Sequence, residues 1–309
     1  MTVSIRPLSA DDETAVVEFY RRTHQDDPTV GAISVAGWRH FAAMSHNQGG
    51  RDFRAAWAGD RARDRARGRV VGVATTSQRA RAEPWIRHFR IVVEPAWRRR
   101  GIGGALLRAL ADLDAPHPVL LQTLCPQDWL AGAAFLETAG FAPIENEIDM
   151  ECAALIAPPR PGTWEMRRLA EPQALAESIA ALHNRAYAGT PSFVELGGGE
   201  MAELLAEGEL WVAECRGALV AICHLEPEGA KLRLESLAVE PAWQGRGAGP
   251  ALAYRALTEA GAGAERAACL SVSDRNPPAL RAYARLGFRA MFSSTRYRAD
   301  RAQVLAAMS

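Results

Sequence analysis

Apolar and polar residues alternate with a period of two in two short stretches far apart in the chain, 3–8 (Val-Ser-Ile-Arg-Pro-Leu) and 164–169 (Trp-Glu-Met-Arg-Arg-Leu). That period places alternate side chains on opposite faces of a strand. Each stretch leads into a segment with helical spacing, 11–23 and 171–186. The same order of elements then recurs. Strands are predicted at 53–58 and 69–76 in the first half, and at 210–215 and 218–224 around Arg216-Gly217 in the second. A third long strand, 86–93 or 232–239, runs into a glycine-rich loop and a helix, 104–113 or 250–260. In the first of these helices Ala105, Leu106, Ala109 and Leu110 share one face. Another strand follows, 119–124 or 267–272, and a last helix ends in Gly-Phe, at Gly140-Phe141 and Gly287-Phe288. Each half therefore reads as a mixed α/β domain with a strand, a glycine loop and a helix at its centre.

At one place the repeat is literal. Glu94-Pro95-Ala96-Trp97 and Glu240-Pro241-Ala242-Trp243 stand 146 residues apart in a chain of 309. A repeat at that spacing is a duplicated domain, not a solenoid. Three prolines and a glycine in 157–162 form a stiff connector. The expected domains are 1–156 and 163–309. Arginines crowd 61–67, which reads as a solvated hairpin loop or, alternatively, as an anion-binding patch.

Composition narrows the partners. Formal net charge is zero, so bulk electrostatics point to neither nucleic acid nor an anionic membrane. Five cysteines, scattered and without a CxxC pair, fit a reducing cytoplasm better than a disulfide framework or structural zinc, and no metal is expected. The N-terminus lacks a signal-peptide pattern, and no apolar run approaches the roughly 18 residues that span a bilayer. Oligomeric state is not legible.

A glycine loop between a strand and a helix gathers backbone N–H groups at the positive end of the helix dipole, a geometry that binds phosphate. It is equally compatible with a tight turn that binds nothing. Neither copy has the Lys-Ser/Thr of a P-loop. Leu106 and Leu252 stand where a dinucleotide fingerprint needs Gly or Ala.

These residues resemble the GNAT superfamily of acyl-CoA-dependent N-acyltransferases. Its motif Q/R-x-x-G-x-G/A is matched by Arg98-x-x-Gly101-x-Gly103 and by Gln244-x-x-Gly247-x-Gly249. Its second motif, an Asn before a helix that carries Tyr and ends in Leu-Gly-Phe, is matched by Asn276, Tyr283 and Leu286-Gly287-Phe288. The resemblance implies two tandem GNAT-like domains and acetyl-CoA as acyl donor. It implies that amides of Gln244, Gly245, Arg246, Gly247, Ala248 and Gly249 hold the pyrophosphate. The backbone of Leu237 and Val239 would pair with the pantetheine arm, and Asn276 would bridge it or simply start its helix. In the first half the corresponding residues are Arg98, Arg99, Arg100, Gly101, Ile102 and Gly103, with Ile91 and Val93. Pro250 replaces Gly104 and removes one N–H from the second loop.

Aminolysis of a thioester needs a base for the amine, donors for the oxyanion and an acid for the thiolate. Tyr283 stands where the family places the acid. Glu235, four residues before Val239, is the candidate base, on the face of Leu237 and Val239 by alternation. The first half has Phe89, Leu136 and Trp129 where the second has Glu235, Tyr283 and Asn276, with His88 as a possible substitute base. The expectation is therefore an N-acetyltransferase working through its C-terminal domain on a primary amine of a small molecule or peptide. Eight glutamates against one arginine between 195 and 228 would suit a cationic acceptor or simply a solvated face, with His183, Asn184 and Tyr187 nearby. The alternatives are a non-catalytic acyl-CoA sensor and an ATP-binding regulator.

Overall fold

The computed structural model describes residues 2–27, 30–44, 47, 50–59, 68–79, 84–115, 118–158, 164–190, 193, 195–263 and 266–308. The arginine-rich 61–67 and most of the proline connector, 159–163, lie outside the described residues. The chain forms two compact units, Met1–Pro143 with Arg296–Ser309, and Ile144–Thr295.

Unit 1 contains β1 (Val3–Pro7), α1 (Glu13–Asp26), α2 (Val35–Ala43), β2 (Arg54–Ala58), β3 (Arg69–Arg79), β4 (Trp85–Val93), α3 (Ile102–Ala111), β5 (Val119–Pro126) and α4 (Leu130–Thr138). Unit 2 contains β6 (Ala142–Cys152, from Ile144 on), β7 (Glu165–Arg168), α5 (Ala176–Tyr187), α6 (Gly198–Leu204), β8 (Glu209–Cys215), β9 (Ala218–Glu228), β10 (Lys231–Val239), α7 (Ala248–Glu259), β11 (Ala268–Ser273) and α8 (Pro277–Arg285). The next strand, β12 (Arg289–Asp300), gives its first residues to unit 2 and residues 296–300 to unit 1, where α9 (Arg301–Ala307) follows.

Strand order in unit 1 is β1-β2-β3-β4-β5-β12, and in unit 2 it runs β6-β11-β10-β9-β8-β7. Both are mixed sheets. Most neighbours are antiparallel, and one parallel pair lies at the centre of each, β4 with β5 and β10 with β11. The repeated order of strand, loop and helix is the one expected from the sequence. The allotment of chain to units differs from a division at residues 157–162. Residues 144–156 belong to unit 2 and the chain's last residues to unit 1. The repeat marks where like sequences lie, while long-range strand pairing decides which unit they complete.

Alternation along the strands buries both faces of each sheet. In unit 1, Ala55 and Trp57 face α1 and α2, while Ala56 and Ala58 face α3. In unit 2, Val212, Ile222 and Ala238 pack with α5 and α6; Trp211, Ala213 and Cys223 pack with α7 and α8. The end of the chain is core to unit 1: Tyr297, Ala299 and Val304 are buried among α3 and α4 residues. Among the described residues no helix is long and apolar enough to cross a membrane.

Candidate active site

The strand before the glycine loop, β4 in unit 1 and β10 in unit 2, sets the site. In unit 2, β10 pairs with β9 in register up to Leu234↔Leu225 and resumes at Ser236↔His224, so Glu235 is the extra residue of a β-bulge. The bulge resets the alternation. Leu232 and Leu234 face α7 before it, and Leu237 and Val239 pack on the same side after it. The period of two is thus broken between Leu234 and Ser236 and holds from Ser236 to Val239. Glu235 is exposed and makes no hydrogen bond or ion pair among the described residues. The parallel pairing with β11 comprises Leu232↔Ala268 and Arg233↔Cys269, so β10 and β11 part company at the bulge.

Unit 1 lacks this device. β4 pairs with β3 without a shift from Gly72↔Val93 to Arg79↔Ile86, and its parallel pairing with β5 extends through four positions to His88↔Gln122. Thr123 Oγ1 then donates to the Phe89 carbonyl at 2.8 Å across the gap. Phe89, the counterpart of Glu235, is buried with its ring centroid 5.5 Å from that of Phe141, and Leu136, the counterpart of Tyr283, is buried in the same core. Trp129, the counterpart of Asn276, is 46 % exposed and caps α4 with no side-chain bond. Nε2 of the buried Gln122 is hydrogen-bonded to His88 Nδ1 at 3.4 Å.

The two glycine loops match atom for atom in several respects. A single 3-10 turn, Pro95–Trp97 or Pro241–Trp243, follows the strand. Arg98 Nε donates to Val93 O at 3.0 Å, and Gln244 Nε2 donates to Val239 O at 3.1 Å. The variable first letter of the motif thus ties the loop to the strand it has just left. Arg100 lies over Trp97 and Arg246 over Trp243, at 4.9 and 5.1 Å. Gly101 and Gly247 cap α3 and α7 in the left-handed region, at φ 79° and 90°. Among the described residues the N–H groups of Gly245, Arg246, Gly247, Ala248 and Gly249 have no backbone acceptor, nor do those of Arg99 to Gly104. They collect at a helix N-terminus, where an anion is favoured. A Cβ on Gly249 would sit 2.9 Å from Val239 Cγ2, so glycine there lets the helix start lie close against β10. Pro250 falls in the first turn of α7, where a helix has no use for the missing N–H.

Arg99 stands where Gly245 stands in the other copy, and it shares its left-handed backbone at φ 62°. A residue with a Cβ costs roughly 1–2 kcal/mol there, while glycine costs roughly 0.5–1 kcal/mol of chain entropy. Arg99→Gly is therefore expected to stabilise unit 1 by up to about 1 kcal/mol, read as a higher urea midpoint at unchanged slope.

The repeated Glu before each loop holds the first helix of its unit. Glu240 takes Arg185 of α5 in a two-pronged contact at 3.0 and 2.8 Å. Glu94, almost fully buried, is bonded by Arg69 and lies 3.7 Å from Arg22 of α1. The match extends to the partner: Arg22 and Arg185 are each the tenth residue of α1 and α5, and Arg69 adds a second partner to Glu94.

Tyr283 is buried in α8 with its ring edge-on to Phe288 at 5.9 Å. Burial, with Tyr187 and Cys223 nearby, holds its phenol well above the ordinary tyrosine range. No group among the described residues hydrogen-bonds its hydroxyl. Asn276 is the N-cap of α8, accepting from Ala279 N at 3.2 Å ahead of Pro277. The carbonyl of Leu237 accepts a hydrogen bond from Tyr187 of α5 at 3.2 Å. Asn184 is structural, bonded through both ends of its amide to Leu196.

Many of the glutamates between 195 and 228 are engaged. Glu209, Glu214 and Glu228 pair with Arg168, Arg167 and Arg233, and Glu200 accepts from Gly197 N. Glu226 differs. Burial and the nearby Glu235 carboxylate raise it above the usual carboxylate range, beside the buried His224.

Comparison with known proteins agrees with this architecture. The model of the acetyltransferase (GNAT) domain matches twice, at residues 57–143 and 206–290. The chain is 31% identical over 244 residues to a mycothiol acetyltransferase of Clavibacter michiganensis subsp. michiganensis, covering 75% of this chain and 77% of that one. It is 32% identical over 219 residues to a mycothiol acetyltransferase of Kineococcus radiotolerans, covering 67% and 70%. Its fold is similar to that of a GCN5-related N-acetyltransferase from Sphaerobacter thermophilus, with TM-score 0.71, 19% identity and coverage of 97% and 96%. It is similar also to a tandem GNAT protein from the clavulanic acid biosynthesis pathway, with TM-score 0.69, 17% identity and coverage of 97% and 99%. Two bulge-or-no-bulge versions of one strand, each followed by the same amide-lined loop, are thus the two domains of an acyltransferase, and this chain belongs to the GNAT acetyltransferase family with its domain present in tandem.

Proposed function

We propose that unit 2 transfers an acetyl group from acetyl-CoA to a primary amine of a small molecule or peptide, and that unit 1 does not turn over. The observation that carries this reading is the bulge at Glu235. The bulge residue is an exposed carboxylate, without a hydrogen bond or ion pair among the described residues, on β10 just past its last pairing with β11. The amides of residues 245–249 are suited to the diphosphate, and the free edge of β10 around Leu237 and Val239 to the pantetheine arm. Gln244, Arg246 and Asn276 contribute through loop and helix geometry. Glu235 takes the amine's proton, directly or through a water, and Tyr283 gives one to the departing sulfur.

In unit 1 the loop from Arg98 to Gly103, with Ile91 and Val93 on the strand before it, keeps its free amides. That favours a second reading for this unit alone, an acyl-CoA-binding domain without chemistry. An open cavity of about 440 Å³ beside Gly101 and Gly104, lined by Phe135 and Met308, adjoins the loop.

The test is steady-state release of free CoA thiol by the full chain with acetyl-CoA and a panel of small-molecule and peptide amines. The amine that acetylation converts to mycothiol belongs in that panel, because the curated relatives carry that name. Turnover of one amine supports the proposal. Calorimetric binding of acetyl-CoA with no turnover on any amine would establish a sensor instead, and displacement of acetyl-CoA by ATP would favour a nucleotide regulator.

A further inference from the structure

Past the bulge, β10 has a neighbour on one side only, and the register shows which backbone groups face the other. Glu240 N donates to Val220 O at 2.9 Å, so these two residues are a hydrogen-bonded pair of the antiparallel ladder with β9. Hydrogen-bonded and non-bonded pairs alternate along such a ladder. Ala238↔Ile222 and Ser236↔His224 are therefore bonded pairs, and Leu237↔Cys223 and Val239↔Ala221 are the pairs between them. The N–H and C=O groups of Leu237 and Val239 point away from β9, into the gap beyond the last pairing with β11 at Arg233↔Cys269.

Side chains take the place of the departed strand, but for the carbonyls alone. Gln244 Nε2 donates to Val239 O at 3.1 Å, and the Tyr187 hydroxyl donates to Leu237 O at 3.2 Å. The two N–H groups have no partner among the described residues. The gap is thus edged by open donors whose carbonyls are already held. Of the two holders, Gln244 has a counterpart in unit 1, because Arg98 donates to Val93 O. Tyr187 has none. It stands two residues after Arg185 in α5, as His24 stands two after Arg22 in α1, and His24 Nδ1 lies 2.8 Å from Val30 O instead. No described side chain reaches Ile91 O, the counterpart of Leu237 O. The bond to the edge is present in the copy that also keeps Glu235 and Tyr283. The half-buried Tyr187 ring is set for it by packing on His183, with centroids 4.6 Å apart.

Resting on the reading of unit 2 as the acetylating domain, we infer that Tyr187 is a positioning residue for the acyl-CoA arm. A bulge disrupts its ladder locally, and here no second strand steadies the residues that follow it. Leu237 O lies between the two open N–H groups along the edge, so holding it sets the direction of both. Tyr187 thereby keeps Leu237 N–H and Val239 N–H aimed into the gap, where they donate to carbonyl oxygens of the arm. A carbonyl oxygen has two lone pairs, so an amide N–H of the arm still finds a place on Leu237 O beside the tyrosine. Tyr187 acts through the backbone and takes no part in proton transfer.

The experiment uses the full chain, the amine found to turn over, and Tyr187→Phe, which keeps the ring on His183 and removes only the hydroxyl. The bond itself is read without ligand or turnover, in protein carrying 13C at leucine carbonyls and 15N at alanine. The Leu237–Ala238 signal, identified by its absence from Leu237→Ile, should move in Tyr187→Phe while the Leu110–Ala111 signal of unit 1 stays fixed. The role is read by inhibition against acetyl-CoA, with CoA, which carries the arm, and with ADP, which carries a diphosphate without it. KM for acetyl-CoA and the inhibition constant of CoA should each rise roughly 3–10-fold, the worth of one neutral hydrogen bond, while the inhibition constant of ADP stays at its wild-type value. An unmoved Leu237 carbonyl would overturn the inference and leave the acetylation reading standing. So would CoA and ADP weakening together, which marks damage to the whole site, or neither weakening. A wild-type chain that turns over no amine overturns both, and is recognised without the variant.

Discussion

Tyr283→Phe is expected to lower turnover by roughly 10²–10⁴-fold, the usual contribution of a positioned general acid, and to leave acetyl-CoA affinity almost unchanged. The argument is local. The ring lies edge-on to Phe288 inside the α7–α8 core, and phenylalanine keeps that packing. The hydroxyl has no partner among the described residues, so removing it strands no buried group. The amide-lined loop that would grip the diphosphate belongs to residues 244–249 and is untouched. Single-turnover kinetics and calorimetry on one preparation separate the two effects. Turnover equal to wild type would remove Tyr283 from the chemistry. Loss of affinity in step with turnover would make it a binding residue instead.

A stop after Thr295 is expected to unfold unit 1 and spare unit 2, although the deletion lies in the second half of the sequence. Residues 296–309 belong to unit 1. Their loss takes Tyr297, Ala299 and Val304 from its core. Burying a large apolar side chain stabilises by about 1.5–3 kcal/mol, so Tyr297 and Val304 alone contribute on the order of 3–6 kcal/mol. The deletion also removes Arg301, which donates to Ala111 O at 2.6 Å, and Arg298, which donates to the buried Gln122. Gln122 would be left without that partner. The strand β5 would lose its neighbour and become an open edge. Together these approach the 5–15 kcal/mol that holds a typical domain. The buried clusters of unit 2 contain no residue beyond 295. Limited proteolysis with mass spectrometry reads the outcome as rapid cleavage within 1–143 and protection of 144–295. Undiminished protection of 1–143 would show that the C-terminal segment is dispensable to that unit.

The order of elements was legible because periodicity is local. The strands at 86–93 and 232–239 are found at Trp85–Val93 and Lys231–Val239, and the helix at 250–260 is found at Ala248–Glu259. The short helix Val35–Ala43 has no counterpart in the expected order, and the helix expected among the glutamates after 195 is found at Gly198–Leu204. One is preceded by a glycine and a lone Ser34 cap, and the other opens on three glycines, so neither carries a strong helical signal. Long strands at 142–152 and 289–300 were also missed, because each follows a Gly-Phe that looked like an ending.

By itself the sequence determined the duplication, the mixed α/β class and the glycine loops. It also showed the loss of Glu, Tyr and Asn from the first copy, since these are matters of residue type at matched spacing. Only the tertiary structure decided that β10 is bulged and β4 is not, because a bulge is a relation between two strands and leaves no mark on one of them. It likewise decided that Arg99 takes a glycine's backbone, that Tyr187 reaches Leu237, and that the chain's last residues complete the core of the first unit. The last of these rests on pairing across more than a hundred residues and the others on how a strand, turn or helix seats against its neighbours, and both are settled by packing and hydrogen bonding that no single-segment pattern encodes.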